Sequence, residues 1–255
     1  MSQPLFGKTA LVTGGSRGIG RSIAERLAQE GATVALTYNA GKAAATEVVE
    51  TIRGAGGSAF ALHADLADVE AIAALFEQLD RELTERNGSK ALDILVNNAG
   101  NSGWGGLRDT TPDSWDAIFA VHARAPFFIV QAALSRLSDN GRIINISSAA
   151  GLRAMAAVPI YSMAKASINN LTHALAQELG PYGITVNAVA PGWVRTDMNT
   201  AVRENADMVR LIESDTALGR FGETSDIAAV VAYLASDESR WVTAQVIEAS
   251  GGYKL

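Results

Sequence analysis

The sequence predicts an α/β fold: a single-domain, doubly wound parallel sheet of about seven strands with helices on both faces. Three observations lead there. Short apolar runs alternate with longer amphipathic ones from end to end. The short runs are near-continuously apolar, as strands covered on both faces are. No repeat, linker or low-complexity stretch divides the 255 residues, so residues 1–255 read as one domain. Such alternation selects parallel strands joined by right-handed crossovers.

The strand runs are residues 9–13, 33–38, 59–64, 92–96, 142–147, 185–190 and 245–249. Between them, Ile19, Ile23 and Leu27 recur every four residues, as do Ile72 and Phe76 with Leu75 and Leu79 beside them. Residues 113–137 and 161–179 form two longer helical stretches. Two segments are less regular: 103–106, where Trp104 stands among glycines, and 193–220, which reads as a substrate loop with a helical patch over 208–212. Doubly wound sheets place ligands in such loops, beyond the carboxyl ends of the strands.

Composition narrows the function. Apolar residues make up 48% and charged ones 19%, which suits a compact globule. A balance of 21 basic against 27 acidic residues, net −6, argues against nucleic acid or an anionic membrane as partner. With no cysteine there are no disulfides and no thiolate metal site, which fits a reducing cytoplasm. Residues 1–8 lack the charged and apolar regions of a signal peptide, and no apolar run approaches the ~20 residues of a membrane span. A cytoplasmic enzyme acting on a small molecule, without a metal, is expected.

The first strand runs into a glycine loop, Thr13-Gly14-Gly15-Ser16-Arg17-Gly18-Ile19-Gly20, and then a helix. Glycine there permits a tight turn and close approach of backbone to a pyrophosphate, while the helix N-terminus offers free amides. A glycine cluster alone is weak evidence; its position after the first strand strengthens it. A carboxylate about 20 residues past the glycines would bind the ribose hydroxyls of NAD. That position reads Thr37-Tyr38-Asn39, and Arg17 stands in the loop instead. A guanidinium without a competing carboxylate favours the 2′-phosphate of NADP(H), with NAD(H) still possible if Arg17 only solvates the loop.

Tyr161 and Lys165 are four residues apart and share one helix face. An ammonium near a phenol lowers its pKa from about 10 toward working pH, which suits proton exchange with a carbonyl or alcohol oxygen. Ser148, ending a strand thirteen residues earlier, could hold the same oxygen.

With Asn97-Asn98-Ala99-Gly100 after the fourth strand and Pro191-Gly192 after the sixth, these residues closely resemble the short-chain dehydrogenase/reductase family. The likeness spans residues 8–252 and is nearest to the 3-oxoacyl-(acyl-carrier-protein) reductase-like subgroup. It implies a Rossmann-type fold, Tyr161 as acid/base, Ser148 as orienting hydroxyl, and Lys165 on the nicotinamide ribose. It places Gly14, Ser16, Arg17, Gly18, Ile19, Gly20, Tyr38 and Asn39 on the phosphate and adenosine side. Asp65 and Leu66 would meet the adenine, and Asn97, Ala99 and Gly100 would line the cofactor. Ile146, Pro191, Gly192, Val194 and Thr196 would frame the nicotinamide. It also implies a homodimer or homotetramer built on residues 113–137 and the Tyr161 helix, with a second contact through the last strand. One position departs from the family: His122 follows Val121 where an asparagine is usual. A neutral imidazole both accepts and donates, so a proton relay there survives in altered form.

The implied activity is hydride transfer between NADP(H) and a ketone or secondary alcohol, with 3-oxoacyl or similar substrates. The alternatives are an NAD-dependent sugar, polyol or other alcohol dehydrogenase, a catalytically silent dinucleotide sensor, and a nucleotide-sugar epimerase. Sensors typically lose the tyrosine or lysine, and an epimerase needs a longer chain with different glycine spacing. Trp104, Met155 and Trp193, with Leu152, Val158 and Met198, are the candidate substrate walls. Their apolar character suits an uncharged ketone. Trp115, Phe119, Phe127, Phe128, Val130 and Leu134 supply more apolar bulk than one buried helix face needs, which marks a subunit contact.

Overall fold

The computed structural model describes residues 3–255; Met1 and Ser2, which begin the segment read for a leader, lie outside them. Seven parallel strands form one sheet in the order β3-β2-β1-β4-β5-β6-β7. They are β1 (Thr9–Val12), β2 (Thr33–Tyr38), β3 (Ser58–His63), β4 (Leu92–Asn97), β5 (Leu137–Ile146), β6 (Thr185–Pro191) and β7 (Val246–Ala249). The helices are α1 (Gly18–Gln29), α2 (Lys42–Gly54), α3 (Val69–Asn87), α4 (Pro112–Phe119), α5 (Ala125–Ala133), α6 (Pro159–Leu179), α7 (Thr200–Arg203), α8 (Ala206–Ser214) and α9 (Thr224–Ala235).

Alternate strand residues feed two core layers. Val12, Leu36 and Val96 pack with Ile23 and Leu27 of α1, Val48 of α2 and Val231 of α9. Leu11, Leu95 and Ile143 pack on the other face with Leu75 and Phe76 of α3, Ile129 of α5 and Leu175 of α6. Strands buried on both faces explain the unbroken apolar runs. The exceptions are at the sheet's edges, where β7 is only partly buried along its whole length and β3 exposes both ends. The chain leaves β1 toward β2 on one side and returns to β4 on the other, so the crevice for a ligand opens at their carboxyl ends.

The stretch 113–137, expected as one helix, is α4 and α5 joined by a five-residue π-helical turn, Ala120–Arg124, that contains His122. It ends at Ala133, and Leu137 already belongs to β5. No glycine or proline marks that end. Just past that end the Arg136 guanidinium grips the Asp80 carboxylate of α3 with two bonds, at 2.6 and 2.9 Å, and donates to the Ala132 carbonyl at 2.7 Å. The Tyr161 helix begins two residues early, with Pro159 in its first turn, where its missing N–H costs nothing.

A polar ladder crosses the dry core and ties β4, β5 and α6 together. Asn97 Nδ2 donates to Asn145 Oδ1 (2.9 Å), Asn145 Nδ2 to Thr172 Oγ1 (2.9 Å), and Thr172 Oγ1 to the Ile168 carbonyl (2.8 Å). Thr172 and Asn145 are fully buried. Thr172→Val leaves the Asn145 amide without its acceptor, which costs about 1–3 kcal/mol. Its urea midpoint should fall accordingly; an unchanged midpoint would remove the ladder from the account of stability.

Candidate active site

The glycine loop owes its shape to close packing. Gly14 has φ +63°, and a Cβ there would lie 2.8 Å from Ala99 Cα. A Cβ on Gly20 would lie 2.2 Å from the Gly14 carbonyl oxygen and 2.4 Å from Asn98 Nδ2. Only glycine lets the loop rest on the end of β4 this closely. Gly18, also at positive φ, lies against the Thr196 side chain, so the 193–196 segment approaches the loop from above. Arg17, the N-cap of α1, is exposed and provides no side-chain cap, and the first turn holds no acidic residue. The helix thus presents free amides and its positive end to an anion. Ser16 sits beside Gly41 before α2, Ile19 packs against the core, Tyr38 ends β2, and Asn39 follows it, exposed. These residues fit a dinucleotide pyrophosphate.

Sequence reasoning missed three supporting residues. Asn98 Nδ2 donates to the carbonyls of Thr13 and Gly14 (2.9 and 3.1 Å). The Thr13 hydroxyl oxygen accepts from the Asn98 and Ala99 amides (2.9 and 3.0 Å). A Cβ on Gly15 would meet Leu36 Cβ at 2.7 Å. The doubled asparagine and doubled glycine were the available signals. Asn97 itself is buried and structural, with Oδ1 unpaired. Asp65 is exposed after β3, with Oδ1 accepting from the Ala67 amide, and Leu66 is buried.

The chemical residues converge from β5 and α6. Ser148 follows β5, and its Oγ caps the turn Ala149–Gly151 by accepting from the Ala150 amide (3.1 Å). That turn packs on α6, where a Cβ on Gly151 would meet the Lys165 carbonyl carbon at 2.8 Å. Asn169 reinforces the contact by accepting from Ser147 Oγ (2.6 Å) and donating to the Gly151 carbonyl (3.1 Å). Lys165 Nζ donates to the Ile146 carbonyl (2.7 Å) and lies 5.7 Å from the centre of the Tyr161 ring. Burial pushes the Lys165 ammonium down to about 7.

The expected lowering of the Tyr161 pKa is not what the structure holds. Burial pushes the phenol above its ordinary value, and the neighbouring Ser148 hydroxyl opposes this only in part. Desolvation penalises the phenolate, while the Lys165 ammonium is turned to a carbonyl rather than to the phenol oxygen. Tyr161 is therefore a protonated phenol at neutral pH, ready to donate.

His122 is buried in the π-turn and meets the Tyr161 ring edge-on, with centroids 5.2 Å apart. Its Nε2 lies 2.9 Å from the Asn101 carbonyl oxygen and 3.0 Å from Asn101 Oδ1, and 3.2 Å from the Asn101 amide nitrogen, so Asn101 holds this edge of the ring in either tautomer. Nδ1 is buried and without a hydrogen-bond partner among the described residues. Burial foremost, then the Lys165 charge, lowers its pKa to about 3 despite the Asn101 bond. The ring also fills the space beside Gly100, where a Cβ would lie 2.5 Å from Cε1. His122 hydrogen-bonds Asn101 rather than Lys165, so a direct imidazole-to-lysine relay is not formed.

The remaining candidates surround this centre. Pro191 and Val194 are buried, Ile146 supplies the carbonyl under Lys165, and Gly192 packs on Ser250. Trp104 and Trp193 lie with ring centroids 6.4 Å apart and planes inclined at 31°. Leu152 and Met198 are exposed nearby in sequence. Val158, expected as a wall, is core: it directly precedes α6 and is 9% exposed, because Pro159 seats the helix start against the body. An open cavity of about 270 Å³ lies between Ala149, Arg153–Ala157 and Tyr253–Lys254, with Met155 in its wall. A larger one, about 440 Å³, opens at the amino-terminal ends of the strands around Thr9, Asn87 and Asp93, away from every group described above.

The pKa of His122 has a consequence for stability. The unfolded chain, near 6.5, binds more protons than the folded one, near 3, so stability is lost as pH falls through this window. His122→Asn should flatten the decline in thermal midpoint between pH 6.5 and 4.5. A variant that declines in parallel with the parent would place the acid sensitivity elsewhere.

The chain matches the enoyl-(acyl carrier protein) reductase family model over residues 14–254. It is 40% identical to the 3-oxoacyl-[acyl-carrier-protein] reductase FabG of Staphylococcus aureus, covering 96% of this chain and 97% of the relative. It is 41% identical to an uncharacterized oxidoreductase of Methylorubrum extorquens, over 98% of this chain and 99% of the relative. The angucycline C-6 ketoreductase LanV, solved with bound NADP, superposes with a TM-score of 0.95 at 45% identity, covering 100% of this chain and 98% of that one. A glycine cradle, the Ser148–Tyr161–Lys165 centre and these full-length similarities together make the chain a member of the short-chain dehydrogenase/reductase family.

Proposed function

We propose that the protein is an NADPH-dependent ketoreductase that reduces an uncharged ketone, of 3-oxoacyl or similar type, to a secondary alcohol. The observation that carries this reading is the convergence of Ser148, a protonated Tyr161 and Lys165 at the carboxyl ends of β5 and β6, beside the glycine cradle. LanV with its NADP, and FabG by its name, support the cofactor and the direction.

NADPH, when bound, supplies the hydride. Gly14, Gly18 and the α1 amides would hold its pyrophosphate, Arg17 the 2′-phosphate, and Lys165 the nicotinamide ribose. Ser148 holds the carbonyl oxygen, and Tyr161 gives that oxygen its hydroxyl proton. Solvent then returns a proton to the phenolate left behind. A raised phenol pKa suits reduction, since the acid form is the one consumed. His122, neutral at every working pH, acts as a positioning residue for Tyr161 and Asn101 rather than as an acid or base.

The protein is assigned to the cytoplasm and to a homodimer or homotetramer. No helix among the described residues is long and apolar enough to cross a membrane. Trp115, Phe127 and Leu134 of the α4–α5 stretch are 37%, 48% and 45% exposed, while Val130 is buried. An apolar face of this kind supports self-association. Light scattering should give a mass of two or four chains, and a stable monomer would remove the assignment.

The central test is oxidation of NADPH and NADH, side by side, against ketones and an enoyl thioester. The ketones should be reduced with NADPH preferred, and the enoyl substrate left intact. Tyr161→Phe should lose at least about a hundredfold in kcat. Arg17→Ser should raise the KM for NADPH roughly tenfold or more with little change for NADH. His122→Asn should retain turnover. Binding of NADPH with no ketone turned over would support the sensor reading instead.

A further inference from the structure

Between β3 and α3 the chain turns through residues 65–68, and the family resemblance assigns Asp65 and Leu66 of this turn to the adenine. Two carboxylates set its local shape. Asp65 Oδ1 accepts from the Ala67 amide at 3.0 Å, and Asp68 Oδ1 accepts from the Glu70 amide at 2.9 Å as α3 begins. The Asp68 amide donates back to the Asp65 carbonyl at 3.1 Å. One end of the turn is tied to the sheet. There the Ala64 amide donates to the Tyr38 carbonyl at 3.0 Å, and the Tyr38 and His63 rings meet edge-on with centroids 5.5 Å apart.

The far end is held by Arg124. Its Nη2 donates to the Ala67 carbonyl at 2.6 Å, across 57 residues of sequence. Both carboxylates of the turn are engaged by backbone amides, and the guanidinium goes to a carbonyl instead. A hydrogen bond from an ionised donor is among the stronger ones. Beneath it, Leu66 is buried in the same core layer as Ala125, the residue after Arg124, and Ile129 of α5. Bond and apolar contact together seat the turn against α5.

The place of Arg124 in the chain gives this bond its meaning. Arg124 closes the π-turn Ala120–Arg124, two residues after His122. Side chains two apart on a helix point to roughly opposite sides. His122 reaches the Tyr161 ring, with centroids 5.2 Å apart, while Arg124 reaches the Ala67 carbonyl. A single helical turn thus touches the chemical centre on one side and the 65–68 turn on the other.

We propose that Arg124 is a positioning residue for the cofactor, holding the 65–68 turn where it receives the adenine ring. The proposal rests on the NADPH-dependent reading and deepens its account of the adenosine end. Arg124 acts through the backbone of Ala67 and touches no reacting atom. Its loss therefore weakens whatever ligand carries the adenine and leaves the chemical step alone. Arg17, placed for the 2′-phosphate, distinguishes NADPH from NADH; Arg124 serves both alike.

The test measures Kd for NADPH and NADH by fluorescence titration, and for adenosine 2′,5′-bisphosphate by calorimetry, without turnover. Arg124→Ala should weaken all three about fivefold, the value of one hydrogen bond partly open to water. Arg124→Lys keeps a cationic donor and should recover most of the loss. Arg124 is exposed, so these variants keep the fold. In Arg124→Ala, kcat at saturating NADPH and KM for the ketone should stay within about twofold. Amide hydrogen exchange over residues 66–70 should quicken in the same variant, which reads the turn directly. Unchanged Kd values, or a fallen kcat with normal cofactor binding, overturn the proposal. So does a loss confined to NADPH and the bisphosphate, which makes Arg124 a phosphate contact. A parent protein that binds neither dinucleotide sinks the ketoreductase reading itself, whereas a parent that binds and oxidises NADPH beside an unaltered Arg124→Ala sinks this proposal alone.

Discussion

A buried ammonium holds the active site together. Lys165 has left water for the interior, where a charge is costly, and its Nζ finds the Ile146 carbonyl at 2.7 Å. That bond joins the catalytic helix to the carboxyl end of the strand that precedes Ser148. It therefore sets the distance between Tyr161 and Ser148, the proposed proton donor and orienting hydroxyl. Around it, Asn169 clasps Ser147 and the Gly151 carbonyl, and Thr172 meets Asn145 one turn further along the helix. In a dry environment each of these bonds is expensive to lose, so the helix has one seat on the sheet.

The cofactor side is built by the opposite device, the absence of side chains. Gly14, Gly15 and Gly20 let the loop lie on Ala99, Leu36 and Asn98 at distances no Cβ tolerates. Asn98 and Thr13 then hold the loop to β4 by side-chain-to-backbone bonds in both directions. The two halves of the site meet where the strand order reverses around β1. Neither depends on a flexible surface element for its geometry. The 193–196 segment and the Trp104 loop, which close over the site, are the parts built from longer irregular chain.

His122 links the two regimes. It is fixed by Asn101 at the root of the Trp104 loop and presents its ring edge to Tyr161. The π-turn that contains it lets the long α4–α5 stretch depart from straight helical geometry at this point. With its pKa near 3, the imidazole contributes shape and an unpaired Nδ1, but no charge.

The linear chain determined the strand order of events: seven apolar runs of strand length, the helices between them, the glycine loop and the Tyr161–Lys165 spacing. These features are local, and periodicity and backbone sterics act within a few residues. Tertiary structure decided the rest. Past the end of α5 at Ala133, Arg136 is tied to Asp80, far away in sequence. Val158 joins the core rather than the substrate wall because the helix beginning at Pro159 is seated there. Most consequentially, the Tyr161 phenol is raised rather than lowered, because burial of the whole site outweighs a lysine whose ammonium has turned to a carbonyl. Charge and spacing are written in the order of residues, but desolvation belongs to the packed molecule, and only packing sets which of them prevails.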